Sequence, residues 1–304
     1  MAVIVACDDT SAKRITSFES MGTVVHVEPS RYASLVQEIF ERVESEMSEW
    51  KDNSPLTLVN NSAGKSEVAC PDRVLSAVQT ALSIAEMTDG AFDPTWASIW
   101  HLWDFTKSNV PTKMEVSRLL PLINWKNIRI SGQLVSLKKE GMLLGLGGIA
   151  KGIALHEARD ALIAEGVADF MLQVGGQVLV HGSERVIGIR KPDGSPNELI
   201  GTVTLKDTSV STSGDYEKFF IVDGVRYHHI IDPSTGFPAR GVKSVTVVTN
   251  DASIADALST ALMVMGVTEG MALVEDLHGV EALFIDDSMA LYLSTGFDLD
   301  AFPF

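Results

Sequence analysis

The chain has 304 residues, 45% hydrophobic and 21% charged, with 40 acidic against 24 basic residues and a formal net charge of −16. This length allows one large domain or two modest ones, and the apolar fraction is enough for a sizeable core, which excludes wholesale disorder. The acidic balance argues against a nucleic-acid binder or a basic membrane-surface helix, and the two cysteines, Cys7 and Cys70, make neither a disulfide framework nor a zinc cluster.

At the start, Ile4-Val5-Ala6-Cys7 has the small-residue-then-Cys form of a bacterial lipoprotein cleavage site. The apolar run before it is shorter than the ~7–15 residues of a signal-peptide core. Either Cys7 was lipidated in a longer precursor or it is an incidental thiol. The first reading makes residues 1–13 a tether and residues 14–304 the folded domain, and places the protein outside the cytoplasm against a membrane. No interior stretch reads as a span of ~20 apolar residues.

Residues 15–27 alternate as a strand broken by a turn at Ser20-Met21-Gly22. Ser30 is a cap for a helix whose Leu35, Val36, Ile39, Phe40, Val43 and Met47 recur at three- and four-residue steps. Residues 51–66 read as a polar loop. Pro71 opens a second helix that Gly90 ends. A Trp-rich segment covers 91–105, and 128–137 reads as a hairpin about Ser131-Gly132. The Gly-rich run 145–152 opens a helix through Leu162. Strands follow at 170–180, 185–190, 199–205 and 219–231, the last folded at Asp223-Gly224. A strand at 243–249, a helix at 252–265 and a closing hairpin (282–285 with 290–293) complete the chain. Hairpins outnumber strand–helix–strand units, which predicts an antiparallel α+β protein.

Five stretches carry chemistry. Gly145-Leu146-Gly147-Gly148-Ile149-Ala150-Lys151-Gly152 lacks both the Walker ending and the third dinucleotide-fingerprint glycine. It is either an anion cradle at a helix N-terminus, with Lys151 adding charge, or a tight turn with a solvated lysine. Asp256 and Thr260 lie four apart on a helix and share a face. They are oxygen ligands suited to Mg²⁺, or else a first-turn carboxylate and a back-bonded hydroxyl. In Tyr227-His228-His229-Ile230-Ile231-Asp232-Pro233, one histidine faces a site as general base, or both are structural. Ser211-Thr212-Ser213-Gly214-Asp215-Tyr216 reads as a strand end or turn near a site, with no nucleophile elbow. Finally, Ala91-Phe92-Asp93-Pro94-Thr95 carries Phe92, which with Trp96, Trp100 or Trp103 forms an apolar wall for a flat ligand, or simply core.

Each stretch alone is weak, but their order is specific. Met21-Gly22-Thr23, Gly90 to Thr95, Gly147 to Gly152, Thr212 to Tyr216, His229 to Gly236 and Ala255 to Thr260 together resemble the ApbE family, from about Met21 to about Gly266. The resemblance implies a T-fold-like α+β architecture with antiparallel sheets flanked by helices. It implies FAD as substrate, held with Mg²⁺. The FMN phosphate would pass to a Thr or Ser hydroxyl of a partner protein, with AMP released. The acceptors it implies are membrane redox-complex subunits of the Rnf and Nqr kinds. Carried over by position, Asp256, Thr260 and the Gly148 carbonyl hold the metal. Met21, Trp50, Ala91, Phe92, Asp93, Lys151 and Ile230 contact FAD, and His229 is the general base. The sequence departs from the family at Gly145, where many relatives carry Asp, and at Ser259, where some carry another acidic ligand. The competing readings are an FAD pyrophosphatase that gives free FMN and AMP, and a non-catalytic FAD-binding protein.

Overall fold

The computed structural model describes residues 14–302, Pro196 excepted; Cys7 and the tether lie outside the described residues. Strands β1 (Thr16–Ser20) and β2 (Thr23–Glu28) pair with Ser20 opposite Thr23. Met21 and Gly22 therefore form a two-residue turn. Both have positive φ, 52° and 72°, the turn geometry that matches the twist of a hairpin.

Helix α1 (Ala33–Met47) buries Val36, Ile39, Phe40, Val43 and Met47, as the periodicity predicts. Ser30 does not cap it; residues Ser30–Tyr32 make a short 3-10 turn first. The expected loop at 51–66 contains a helix, α2 (Pro55–Asn61), capped by Ser54 with Pro at its first position. Its polar look misleads because Asn60 is buried. The Asn60 amide donates to the Leu144 carbonyl (2.9 Å) and its oxygen accepts from the Leu144 N–H (2.7 Å). After β3 (Val68–Ala69) comes α3 (Asp72–Met87), with Pro71 standing just before it as N-cap. A 3-10 helix covers Pro94–Leu102, followed by α4 (Lys113–Leu119) and the hairpin β4 (Ile128–Ser131) and β5 (Leu134–Leu137).

Helix α5 (Ala150–Ala164) leads into β6 (Phe170–Val174) and β7 (Gln177–His181). The sequence reads these two as one strand, but Gly175 at φ 54° folds them into a hairpin. Next come β8 (Arg185–Arg190), β9 (Leu199–Leu205) and β10 (Thr208–Gly214). The stretch 211–216, expected as a strand end or turn near a site, is the end of β10 through Gly214. The hairpin β11 (Phe219–Val222) and β12 (Val225–His228) precedes β13 (Val242–Thr249). Helix α6 (Ala252–Asp276) runs past its predicted end at 265, kinked at Gly266 (φ 78°, ψ 178°). By length and composition alone it could cross a membrane, with 25 residues and an 18-residue stretch of mean hydropathy 1.6, where the sequence reads as having no such stretch. Strands β14 (Val280–Asp286), β15 (Leu291–Leu293) and β16 (Asp300–Ala301) close the chain.

The large sheet runs β1-β2-β6-β7-β10-β13-β14-β15 and every pairing is antiparallel. On one face pack α1, α5 and α6, around Val25, Phe40, Phe170, Leu172, Val245 and Leu258. On the other, Met171, Val178, Val180 and Val210 meet Ile187, Ile189 and Val203 of the small β16-β9-β8 sheet. Strand β6 is buried at all five residues because both its faces are covered. A third apolar cluster joins the Trp-rich segment to the β11–β12 hairpin through Ile99, Trp103, Phe220 and Ile231. This α+β arrangement leaves a cleft between the end of the large sheet and the aromatic lobe.

Candidate active site

The cleft has a volume of about 660 Å³, within the usual range for a small-molecule site. All eleven residues singled out from the sequence line it: Met21, Trp50, Ala91, Phe92, Asp93, Gly148, Lys151, His229, Ile230, Asp256 and Thr260. Met21 reaches it from the β1–β2 turn. Trp50, 66% exposed, stands at the rim after α1.

The floor is set by a close contact between two helices. A Cβ on Gly152 would lie 2.2 Å from the Ala252 carbonyl oxygen and 2.6 Å from the Ser253 Cα. Only glycine lets the first turns of α5 and α6 touch in this way. The contact brings the Gly152 N–H to within 3.0 Å of Asp256 Oδ2. Lys151 Nζ donates to the Gly147 carbonyl (3.2 Å) and sits 3.5 Å from Asp256 Oδ1. Asp256 is buried, which makes these partners necessary.

Thr260 lies one turn on. Its hydroxyl makes only long contacts, 3.3 Å to the Asp256 carbonyl and 3.4 Å to Ser213 Oγ. Gly148 faces it, since a Cβ there would lie 3.7 Å from Thr260 Oγ1. Ser259, on the same helix, bonds instead to Ser213 (2.8 Å) and Ser211 (3.2 Å) of β10. Among the described residues no group of three or more His, Cys, Asp or Glu could hold a metal. A single carboxylate with a loosely bonded hydroxyl still fits Mg²⁺, which takes one or two carboxylates and completes its shell with phosphate and water oxygens.

Strand β12 ends at His228, and the two histidines have different surroundings. His228 is buried. Its Nε2 faces the Ala239 carbonyl at 2.8 Å and its Nδ1 accepts from the Ile230 N–H at 3.3 Å. A carbonyl only accepts, so Nε2 carries the proton and the ring is structural. His229 Nδ1 faces the Lys218 carbonyl at 3.3 Å. Its proton is therefore on Nδ1, and Nε2 keeps a free lone pair. Burial, helped by the neighbouring His228 and Lys151, pushes the His229 pKa down to about 4. The ring is neutral at pH 7 and ready to accept a proton.

Asp93 is buried and its carboxylate is engaged. Oδ1 accepts from the Thr95 N–H and hydroxyl (2.8 and 2.6 Å) and Oδ2 from the Trp125 N–H (2.9 Å). Burial raises its pKa against these bonds. Asp215 is also structural, taking both 2.8 Å bonds from Arg226 of β12. Trp103 is core rather than wall: its indole N–H donates to the Gly236 carbonyl and its ring lies against Tyr227 and Phe237. Trp96 and Trp100 do line the cleft. Sequence reasoning missed Glu49, whose pKa is raised by burial and lowered in part by Lys151; its only signal was its place beside Trp50. Gln177 and Lys218, also missed, line the cleft as well.

One α+β cleft thus gathers a glycine turn, a lysine, a buried carboxylate and a neutral histidine. The model of the ApbE family matches residues 21–284, and the chain belongs to that family. The FAD:protein FMN transferase of Treponema pallidum is 33% identical to it, over 86% of this chain and 79% of that protein. The FAD:protein FMN transferase of Vibrio cholerae is 29% identical, over 98% and 95%. Among solved structures, the ApbE protein of Thermotoga maritima aligns with a TM-score of 0.87 and 34% identity, covering 93% of this chain and 97% of that one. The flavin transferase ApbE of Vibrio cholerae aligns at 0.82 and 30%, covering 94% and 98%.

Proposed function

We propose that this chain is an Mg²⁺-dependent FAD:protein FMN transferase that moves FMN from FAD to a Thr or Ser hydroxyl of a partner protein and releases AMP. One observation carries the proposal: a neutral histidine, a lysine, and an Asp–Thr pair on one helical face line the same cleft. Asp256, Thr260 and the Gly148 carbonyl would hold Mg²⁺, which supplies charge neutralisation on the pyrophosphate. Lys151 adds a cation beside it, and the glycine turn lets the backbone approach the phosphates. Positioning and electrostatics of this kind are most of what phosphoryl transfer demands.

His229 Nε2 takes the proton of the acceptor hydroxyl. The hydroxyl oxygen bonds to the FMN phosphorus, the P–O bond of the pyrophosphate bridge breaks, and the bridging oxygen leaves with AMP. The aromatic residues hold the flat rings of FAD. The proposed acceptors are membrane redox-complex subunits of the Rnf or Nqr type. The proposed location is extracytoplasmic, through lipidation of Cys7; labelling with a fatty acid that a Cys7→Ser variant loses would test it.

The test of activity is incubation with FAD, Mg²⁺ and a candidate acceptor subunit. A fluorescent acceptor with one AMP per flavin supports the transferase. Free FMN without labelled acceptor supports the pyrophosphatase, and FAD recovered intact supports a carrier.

A further inference from the structure

We infer that Trp96 is a ring-recognition residue of this cleft, and that Gly145 is its obligate partner. The inference rests on FAD being the substrate. Gly145 is not needed for its backbone, since its φ is not among the positive ones. It is needed for space. A Cβ there would lie 2.8 Å from Trp96 Cζ2, 2.9 Å from Cε2 and 3.0 Å from the Ala97 Cβ. The indole fills the volume in which a side chain at 145 would begin.

The Trp96 N–H is already spent on the Gly145 carbonyl, at 3.1 Å. Its remaining recognition chemistry is the π system. That ring stands edge-on to Trp100 at 5.1 Å and 87°. Trp100 in turn stacks on Phe105, with Lys218 Nζ over both rings at 5.6 and 5.5 Å. Trp96, Trp100 and Lys218 all line the cleft. The wall therefore offers an aromatic surface, held in place by ring–ring contacts and flanked by the Lys218 ammonium, that suits a flat heteroaromatic ring of a dinucleotide.

The test is FAD binding with Mg²⁺ and no acceptor, read by flavin fluorescence anisotropy. Trp96→Leu should weaken FAD about tenfold, and Trp96→Phe should keep most of the affinity. With acceptor present, the Leu variant should change KM for FAD more than kcat. Competition with FMN and with AMP identifies the ring, because only the ligand that carries it loses affinity. Gly145→Asp alone should lower both Tm and FAD affinity, and both costs should shrink by more than half in the Trp96→Leu background. Trp96→Leu binding FAD within twofold of wild type, or the two substitutions adding independently, would overturn the inference while leaving the transferase reading intact. No FAD binding by the wild type would overturn both.

Discussion

Gly152→Ala is a single methyl placed 2.2 Å from the Ala252 carbonyl oxygen, 2.6 Å from the Ser253 Cα and 2.7 Å from the Ala252 carbonyl carbon. All three are backbone atoms, so no side chain can swing aside. Reaching van der Waals contact near 3.4 Å requires the first turns of α5 and α6 to part by about 1.2 Å. Overpacking of this kind costs about 1–3 kcal/mol, at the upper end when backbone must move. The same displacement breaks the 3.0 Å bond from the Gly152 N–H to Asp256 Oδ2, a bond to a charged group worth about 1.5–3 kcal/mol. The sum, about 2.5–6 kcal/mol, is a large part of an ordinary folding stability of about 5–15 kcal/mol. Urea denaturation of wild type and variant at equal Mg²⁺ measures it. The surviving folded protein should also show a raised Mg²⁺ requirement, because Asp256 has lost a positioning bond. A loss below 1 kcal/mol with unchanged Mg²⁺ dependence would refute the claim that this helix contact holds the carboxylate in place.

Three further outcomes follow from the site. His229→Ala should keep FAD affinity within twofold while transfer falls about 10²–10⁴-fold, and transfer within twofold of wild type removes His229 as the base; the wild-type acid limb should lie near the His229 pKa of about 4, and a limb near 6.5 refutes the lowering by burial. His228 is held neutral, its pKa lowered to about 4 chiefly by burial. An unfolded histidine binds a proton below ~6.5 and the folded one does not, so its stabilisation is present above 6.5 and is lost as pH falls to 4, by about 3 kcal/mol. A His228→Asn variant should flatten that part of the stability–pH curve, and parallel curves would contradict the assignment. Asp256→Asn should raise the Mg²⁺ concentration for half-maximal transfer at least tenfold, and EDTA should stop wild-type transfer; transfer that EDTA leaves untouched argues against a metal.

Much of the site was legible because it rests on local geometry. Asp256 and Thr260 share a face by their spacing alone, and the period of a strand already allowed only one of His228 and His229 to face a given site, although β12 ends at His228. Both arguments needed only the period of the element. What stayed hidden depends on tertiary pairing. Ser-Val-Ser-Thr-Ser left strand end and turn open, and it is a central strand whose Ser211 and Ser213 hydroxyls bond to Ser259 of α6. Asn60 looks like loop and is buried because Leu144, 84 residues away, meets both ends of its amide. Glu49 carries no motif and enters the cleft only because α1 ends beside Gly147, whose added Cβ would lie 3.8 Å from the Glu49 carboxylate. The six family blocks named the enzyme class from their order, which local physics alone could not do.

The kink at Gly266 changes how this long apolar helix would fare in a lipid bilayer. It divides 25 residues into rods of about 21 and 15 Å at 1.5 Å per residue, and neither reaches the ~30 Å of a hydrocarbon core. The first rod also carries Asp256, whose transfer into hydrocarbon costs about 3 kcal/mol. The apolarity of this segment has a different origin. Its first half is pressed between the sheet and α5, with one polar strip, Asp256, Ser259 and Thr260, turned toward β10 and the cleft.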